Sequence, residues 1–131
     1  MAKSHSAITD AQAALIRNAT VFFVATADPA LARGPHEIGP VNLSPKGGVP
    51  LHILSPTRVA YLDYPGSGNE TVRHAQAGGP MTLMVCSFED GEAAIVRLYG
   101  RGSAQPLADS PLAETLLAGT PEGRPFSSGR S

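Results

Sequence analysis

Six short, mostly apolar runs separated by turn-forming residues constrain the fold of this chain more than any other feature. Valine, isoleucine, leucine, phenylalanine and methionine dominate these runs, and this composition is typical of β-strands. The runs span residues 20–27, 41–44, 51–54, 59–63, 80–88 and 93–100. Brief connections favour antiparallel pairing, and strands that are apolar on both sides favour a small closed barrel or a sheet covered by a second copy. The sequence therefore predicts a mainly β, α+β fold.

The connections carry turn chemistry. Pro56 is the second residue of the segment 55–58, the position that proline prefers in type I and II turns, so runs 51–54 and 59–63 are predicted to form a hairpin. The polar segment 89–92 is predicted to be a turn between the last two strands. The strand 41–44 is expected to end at Pro45, and residues 28–40 are expected to form a loop.

Three helices are predicted. Thr9 and Gln12 form a capping-box pattern at the start of a helix over 8–19. Its apolar face is expected to contain Ala11, Ala14, Leu15 and Asn18. A second helix should run from Gly66 to Ala77 and stop at the Gly-Gly-Pro sequence, and a third should span 107–118.

Composition limits the class of protein. The 131 residues, 42% of them hydrophobic, suit one domain, expected over 1–118 with a flexible C-terminal tail over 119–131. The net charge of -1 gives no reason to expect a nucleic-acid or membrane partner. The lone cysteine, Cys86, and the absence of a signal peptide fit the cytoplasm. The four histidines have no metal-ligand spacing, so no metal site is predicted.

The segment 66–71 lies between a predicted strand and a predicted helix. Backbone N–H groups at a helix start can bind an anion such as phosphate, and the glycines of this segment would let the anion come close. The hydroxyls and the amide of the segment are further polar groups beside it. Ser67 and Glu70 also have capping-box spacing, so the residues alone favour a structural cap over a ligand site. Both interpretations remain open, because a cap can hold the loop whose N–H groups face a ligand.

Five motifs in fixed order, at 22–26, 41–47, 59–63, 66–71 and 97–102, resemble the pyridoxamine 5'-phosphate oxidase-like, FMN-binding split-barrel family. The resemblance is to the bacterial branch with SPKG and GSGNET motifs. It implies a homodimer of six-stranded antiparallel split β-barrels with FMN at the interface. Similar proteins usually continue into a further C-terminal segment, so this chain is expected to be a shortened version.

The resemblance also implies a set of cofactor-binding residues. The hairpin would line the flavin, the segment 66–71 would hold its phosphate, and part of strand 41–47 would lie close to both. The implied residues are Asn42, Ser44, Lys46, Leu51, Ile53, Tyr61, Asp63, Ser67, Gly68, Asn69 and Thr71. Better-known members place basic residues beside the phosphate-binding serine, whereas this chain has Asn69 and Glu70 there. The positive charge is therefore expected from Lys46 or Arg73.

The predicted function is that of an FMN-binding oxidoreductase with a small-molecule substrate and no assigned catalytic residue. An alternative is a non-catalytic flavin- or ligand-binding barrel, and a plain phosphate- or nucleotide-binding module is the weakest reading. His52 is expected to face either the flavin or solvent. Arg97, the single charge in an apolar strand, is expected to pair with Asp63 or Glu70 more readily than to contact a ligand.

Overall fold

A computed structural model describes residues 4–31, 40–63, 70–87 and 94–117. Six strands and four short helical segments lie in these ranges. They are α1 (Asp10–Asn18), β1 (Val21–Ala27), β2 (Val41–Gly47), β3 (His52–Ser55), β4 (Arg58–Ala60), α2 (Glu70–Gln76), β5 (Met81–Ser87), β6 (Ala94–Gly100), a 3-10 helix (Leu107–Asp109) and α3 (Ala113–Leu117). None of the helices in the described ranges is long and apolar enough to cross a membrane.

The strands form two antiparallel sheets. One sheet has the order β2-β1-β5-β6, and the hairpin β3-β4 forms the other. The predicted antiparallel, mainly β fold and the predicted hairpin are therefore confirmed. Within the described ranges no backbone pairing joins the two sheets, so the predicted closed six-stranded barrel is not found. The hairpin strands are short and a register shift between Ile53 and Ser55 interrupts their pairing, which leaves little backbone to close a barrel.

The hydrophobic core lies between the inner face of the four-stranded sheet, the hairpin and α1. Phe22 of β1 meets Tyr61 edge-to-face at a ring-centroid distance of 5.2 Å. Val24, Leu62 and Val85 are almost completely buried in the same cluster. The backbone N–H of Ile8 donates to the Pro56 carbonyl, which attaches the residue before α1 to the hairpin turn. Aliphatic side chains supply most of this core, because only 5% of the residues are aromatic.

Helix α1 has the predicted capping box. The Thr9 hydroxyl accepts from the Gln12 N–H at 3.2 Å, and the Gln12 side chain accepts from the Thr9 N–H at 3.0 Å. The predicted apolar face is wrong. Ala13 and Ile16 are buried, whereas Leu15 is half-buried and the other predicted residues, Ala11, Ala14 and Asn18, are exposed. The helix is rotated so that Ala13 and Ile16 enter the core, and Leu15, which belongs to the predicted face, packs against it.

Strand β2 continues past the predicted end at Pro45. Because β2 pairs only with β1, it is an edge strand, and an edge strand tolerates a residue that lacks an N–H donor. The turn follows at Gly48, where φ is 78°. The predicted C-terminal helix is also divided, because Pro111 lies between the 3-10 helix and α3, and proline disrupts a helix interior.

Helix α2 ends as predicted. Gly78 follows it with φ of 82°, a left-handed conformation that suits glycine. The predicted start at Gly66, the turn at 89–92, most of the loop at 28–40 and the tail at 119–131 lie outside the described residues.

The outer face of the four-stranded sheet carries apolar side chains in register. Leu43 lies opposite Ala25, Ala25 opposite Thr82, and Thr82 opposite Tyr99, so one row crosses all four strands. Leu43 is 69% exposed and Tyr99 is 76% exposed. Val21, Val41 and Ile95 are further exposed apolar residues on this face, which is called the outer apolar face below.

Candidate functional site

A polar row on β2 is the centre of the candidate site. Asn42, Ser44 and Lys46 are half-buried and alternate with exposed Val41, Leu43 and Pro45. Alternate side chains of a strand point to the same face, so these three share one face of the sheet. They lie opposite Thr26, Val24 and Phe22 of β1, respectively, on the face that covers the core. The row therefore stands at the edge of the core, where the apolar face of the sheet becomes polar.

Lys46, at one end of the polar row, forms an ion pair with Asp63. The Lys46 Nζ to Asp63 Oδ1 distance is 2.8 Å, and the two side chains are only 18% and 14% exposed. The ammonium also lies 5.9 Å from the centroid of the Tyr61 ring. Lys46, which is predicted to bind the phosphate, therefore lies beside a carboxylate that offsets its positive charge.

Thr71, at the other end of the polar row, accepts a hydrogen bond from Asn42. The Asn42 Nδ2 to Thr71 Oγ1 distance is 3.3 Å, which connects β2 to the first turn of α2. Asp63 and Thr71 thus contact opposite ends of one row. Ser67, Gly68 and Asn69, the predicted phosphate-binding residues, lie between these two positions in the chain and outside the described residues.

Ser44, in the middle of the polar row, has a buried hydroxyl without a hydrogen-bond partner among the described residues. A buried polar atom that makes no hydrogen bond costs about 1–3 kcal/mol, so such atoms usually have a partner in the functional state. A hydroxyl flanked by an ammonium and an amide N–H suits a phosphate oxygen. These residues therefore fit the phosphate group of FMN that the resemblance implies, although Asp63 also contacts Lys46.

The hairpin residues of the predicted site are placed differently. Leu51 and Tyr61 are buried in the core and Ile53 is half-buried against it. Burial, followed by the negative charge of Asp63, raises the pKa of Tyr61 well above its ordinary value, so this phenol stays neutral. The described packing gives these side chains a structural role, and their role in cofactor binding stays a prediction.

His74 is a central residue that the sequence does not single out. Its side chain is fully buried on α2, and its Nδ1 lies 2.8 Å from the Thr26 hydroxyl. The Arg73 guanidinium lies 3.0 Å from His74 Nε2, and since a guanidinium only donates, Nε2 accepts and Nδ1 carries the proton. The two residues of the Thr26–His74 bond are 48 positions apart, and no motif links them.

Arg73, the other predicted phosphate cation, also lies near an acid. Its Nη1 is 4.0 Å from Oδ1 of Asp28, in addition to its contact with His74. Arg97 does not form the ion pair predicted with Asp63, and the side chain of Glu70, the other predicted partner, lies outside the described residues. Asp63 contacts Lys46 instead, and Arg97 is exposed on β6 without an acidic partner among the described residues.

A cavity of about 730 Å³ opens between the hairpin, α2, β5 and β6. Tyr61, Asp63 and Thr71 line it, whereas Asn42, Ser44 and Lys46 do not. Its volume is in the range of small-molecule sites. The residues that line it include many aliphatic ones and three arginines, Arg58, Arg97 and Arg101. His52, in contrast, lines a separate depression of about 290 Å³ beside α1.

The fold is that of a solved protein from Lactobacillus delbrueckii that is provisionally named a pyridoxamine 5'-phosphate oxidase. The two structures agree with a TM-score of 0.59 over 95% of this chain and 85% of that chain, at 21% sequence identity. At this identity, the likeness establishes the fold alone.

The sequence is similar to an Aspergillus flavus protein described as a pyridoxamine 5'-phosphate oxidase family protein. The two are 44% identical over 85 residues, which make up 63% of this chain and 31% of the relative. This chain therefore spans only about a third of the length of that relative. No family model matches the chain. The sequence comparison confirms the predicted resemblance to pyridoxamine 5'-phosphate oxidase-like proteins, and the structural comparison supports the fold alone.

Proposed function

We propose that this protein binds FMN and acts as an oxidoreductase on a small-molecule substrate. The observation that carries the proposal is the buried hydroxyl of Ser44, which lies on β2 between Lys46 and Asn42 and has no hydrogen-bond partner among the described residues. The sequence similarity to a pyridoxamine 5'-phosphate oxidase family protein supports it. A cytoplasmic location stays a prediction from the sequence.

The residues of the polar row would hold the phosphate of FMN. Ser44 would donate a hydrogen bond from a neutral hydroxyl and Lys46 one from an ammonium, which is the stronger of the two because both of its partners are charged. Asn42 and its bond to Thr71 would keep the start of α2 close to this row. FMN, when bound, supplies hydride or electron transfer. The chain's own contribution is binding and orientation, and Tyr61 presents a neutral phenol beside Asp63.

We also propose that two copies of the chain associate through the outer apolar face. Exposed apolar side chains that lie in register on one sheet face are typical of interaction surfaces. The row from Leu43 to Tyr99 crosses the whole sheet, so a second copy could cover it continuously. The family resemblance also implies a homodimer, but with FMN at its interface, whereas the outer apolar face lies on the other side of the sheet from the polar row.

Flavin binding tests the proposed function directly. The purified protein should be yellow, or should take up added FMN with quenching of flavin fluorescence. Replacing both Ser44 and Lys46 by alanine should weaken FMN binding at least about tenfold, because one hydrogen bond from a hydroxyl and one from an ammonium are lost. A matched control replaces an exposed hydroxyl and an exposed cation on and beside α1, Thr20→Ala with Arg17→Ala, and should bind FMN normally. A colourless protein that takes up no FMN would refute the proposal.

One observation favours the non-catalytic alternative: Lys46 is already offset by Asp63. In that case the protein would bind a flavin weakly, without turnover. Reduction of the bound flavin separates the two functions. An oxidoreductase should pass electrons from its reduced flavin to an acceptor faster than free FMN does, whereas a binding protein should show no acceleration.

A further inference from the structure

We propose that Asp63 is a specificity-determining residue, whose carboxylate competes with the ligand's phosphate for Lys46. The inference rests on the proposed function, because it concerns the affinity of the same site for phosphate-bearing and phosphate-free flavins. Asp63 thereby sets how strongly the site favours a phosphorylated flavin.

The contact between the two side chains is close and partly shielded from water. Asp63 Oδ1 lies 2.8 Å from Lys46 Nζ, and neither side chain is more than 18% exposed. The Tyr61 ring lies near the same ammonium, at 5.9 Å from its centroid, so part of its surface is already covered. A phosphate that reaches Lys46 must therefore share its donors with Asp63 or displace the carboxylate.

Charge decides the direction of the effect. Lys46 and Asp63 together are neutral, so they present no net attraction to a distant anion. A phosphate bound at Lys46 would also lie close to the Asp63 carboxylate, and like charges at short range oppose binding. Arg73 does not compensate at this position, since it lies near Asp28 and contacts His74. Removing the negative charge of Asp63 should therefore strengthen phosphate binding.

The effect should depend on the phosphate group. Asp63→Asn should tighten FMN binding about tenfold, since a charge-assisted hydrogen bond to Lys46 becomes fully available. Riboflavin has the same ring system without the phosphate, so its affinity should be unchanged. The salt dependence of FMN binding should become steeper, because the uncompensated lysine attracts the anion through a screened interaction.

Fluorescence titration of the full chain with FMN and with riboflavin, at two salt concentrations, tests this inference. Asp109→Asn is the matched control, because it makes the same change of charge at an exposed carboxylate. Asp63→Glu keeps the charge and should keep the preference of the unaltered protein. Asp63→Ala provides a second neutral variant if the asparagine variant does not fold, which circular dichroism will show.

The outcomes separate this inference from the proposed function. Tighter FMN binding in the neutral Asp63 variants, with riboflavin unchanged, would support the inference. Equal or weaker FMN binding in these variants would overturn it, while the proposed function would stand. If neither the unaltered protein nor any variant binds a flavin, the proposed function itself fails.

Discussion

The buried bond between Thr26 and His74 offers a direct test of how α2 is attached to the sheet. The hydroxyl and Nδ1 are 2.8 Å apart, and the two residues are 3% and 0% exposed. Thr26→Val keeps the shape of the side chain but removes the acceptor of the imidazole N–H. A buried group that loses its hydrogen-bond partner costs about 1–3 kcal/mol, so the free energy of unfolding should fall by about 2 kcal/mol.

Urea denaturation followed by circular dichroism measures this loss, and thermal unfolding provides a second readout. A loss of 2 kcal/mol should lower the melting temperature by roughly 7 °C for a chain of this length. Thr20→Val, just before β1, is the matched control, because it makes the same substitution at an exposed threonine. It should change stability by less than about 0.5 kcal/mol. If Thr26→Val is as mild as the control, the hydrogen bond does not stabilise the fold as argued.

Three further predictions follow from the packing. Gly79→Ala should lower the free energy of unfolding in urea titrations by about 3 kcal/mol or more, because the added Cβ would clash with the carbonyl oxygen of Ala27 in β1. Gly100→Ala should be nearly neutral, because the added Cβ would meet no atom of the described residues within 4 Å. The free energy of unfolding should fall as the pH rises above 10.0, the ordinary pKa of tyrosine, because the phenol of Tyr61 ionises more readily in the unfolded chain than when it is buried. Denaturation at several alkaline pH values should show a smaller fall for Tyr61→Phe than for the unaltered protein. Leu43→Glu should convert the proposed dimer to a monomer in sedimentation experiments, because it places a charge on the outer apolar face. The control Ala14→Glu, on the exposed face of α1, should leave the dimer intact. A dimeric Leu43→Glu protein would exclude the outer apolar face as the interface.

Local sequence patterns predicted the elements well. The Thr9 capping box, the hairpin turn around Pro56 and the stop of α2 before Gly78 depend on neighbouring residues, and all three are confirmed. Predictions that depended on packing were less successful. The buried face of α1 was wrong because Ile16, rather than the alanines, determines the rotation of the helix. The end of β2 was wrong because Pro45 lies on an edge strand, and edge position is a property of the sheet.

The candidate site shows the same division. The family motifs indicated Asn42, Ser44 and Lys46, and their alternation along one strand placed them on one face. The sequence does not reveal that Lys46 contacts Asp63, because the residue expected to pair with Asp63 was Arg97. Nor does it reveal the buried contact of His74 with Thr26, because either residue alone is compatible with many environments.

The sequence by itself determined the antiparallel strands, the helix caps and the family resemblance, because each depends on short-range spacing or on motifs in fixed order. The tertiary structure alone decided which charges meet. Ion pairs and buried hydrogen bonds join residues that are distant in the chain, and their partners depend on register and on the packing of α2 and the hairpin against the sheet. The motif predicts that Lys46 binds a phosphate, whereas the tertiary structure pairs Lys46 with Asp63.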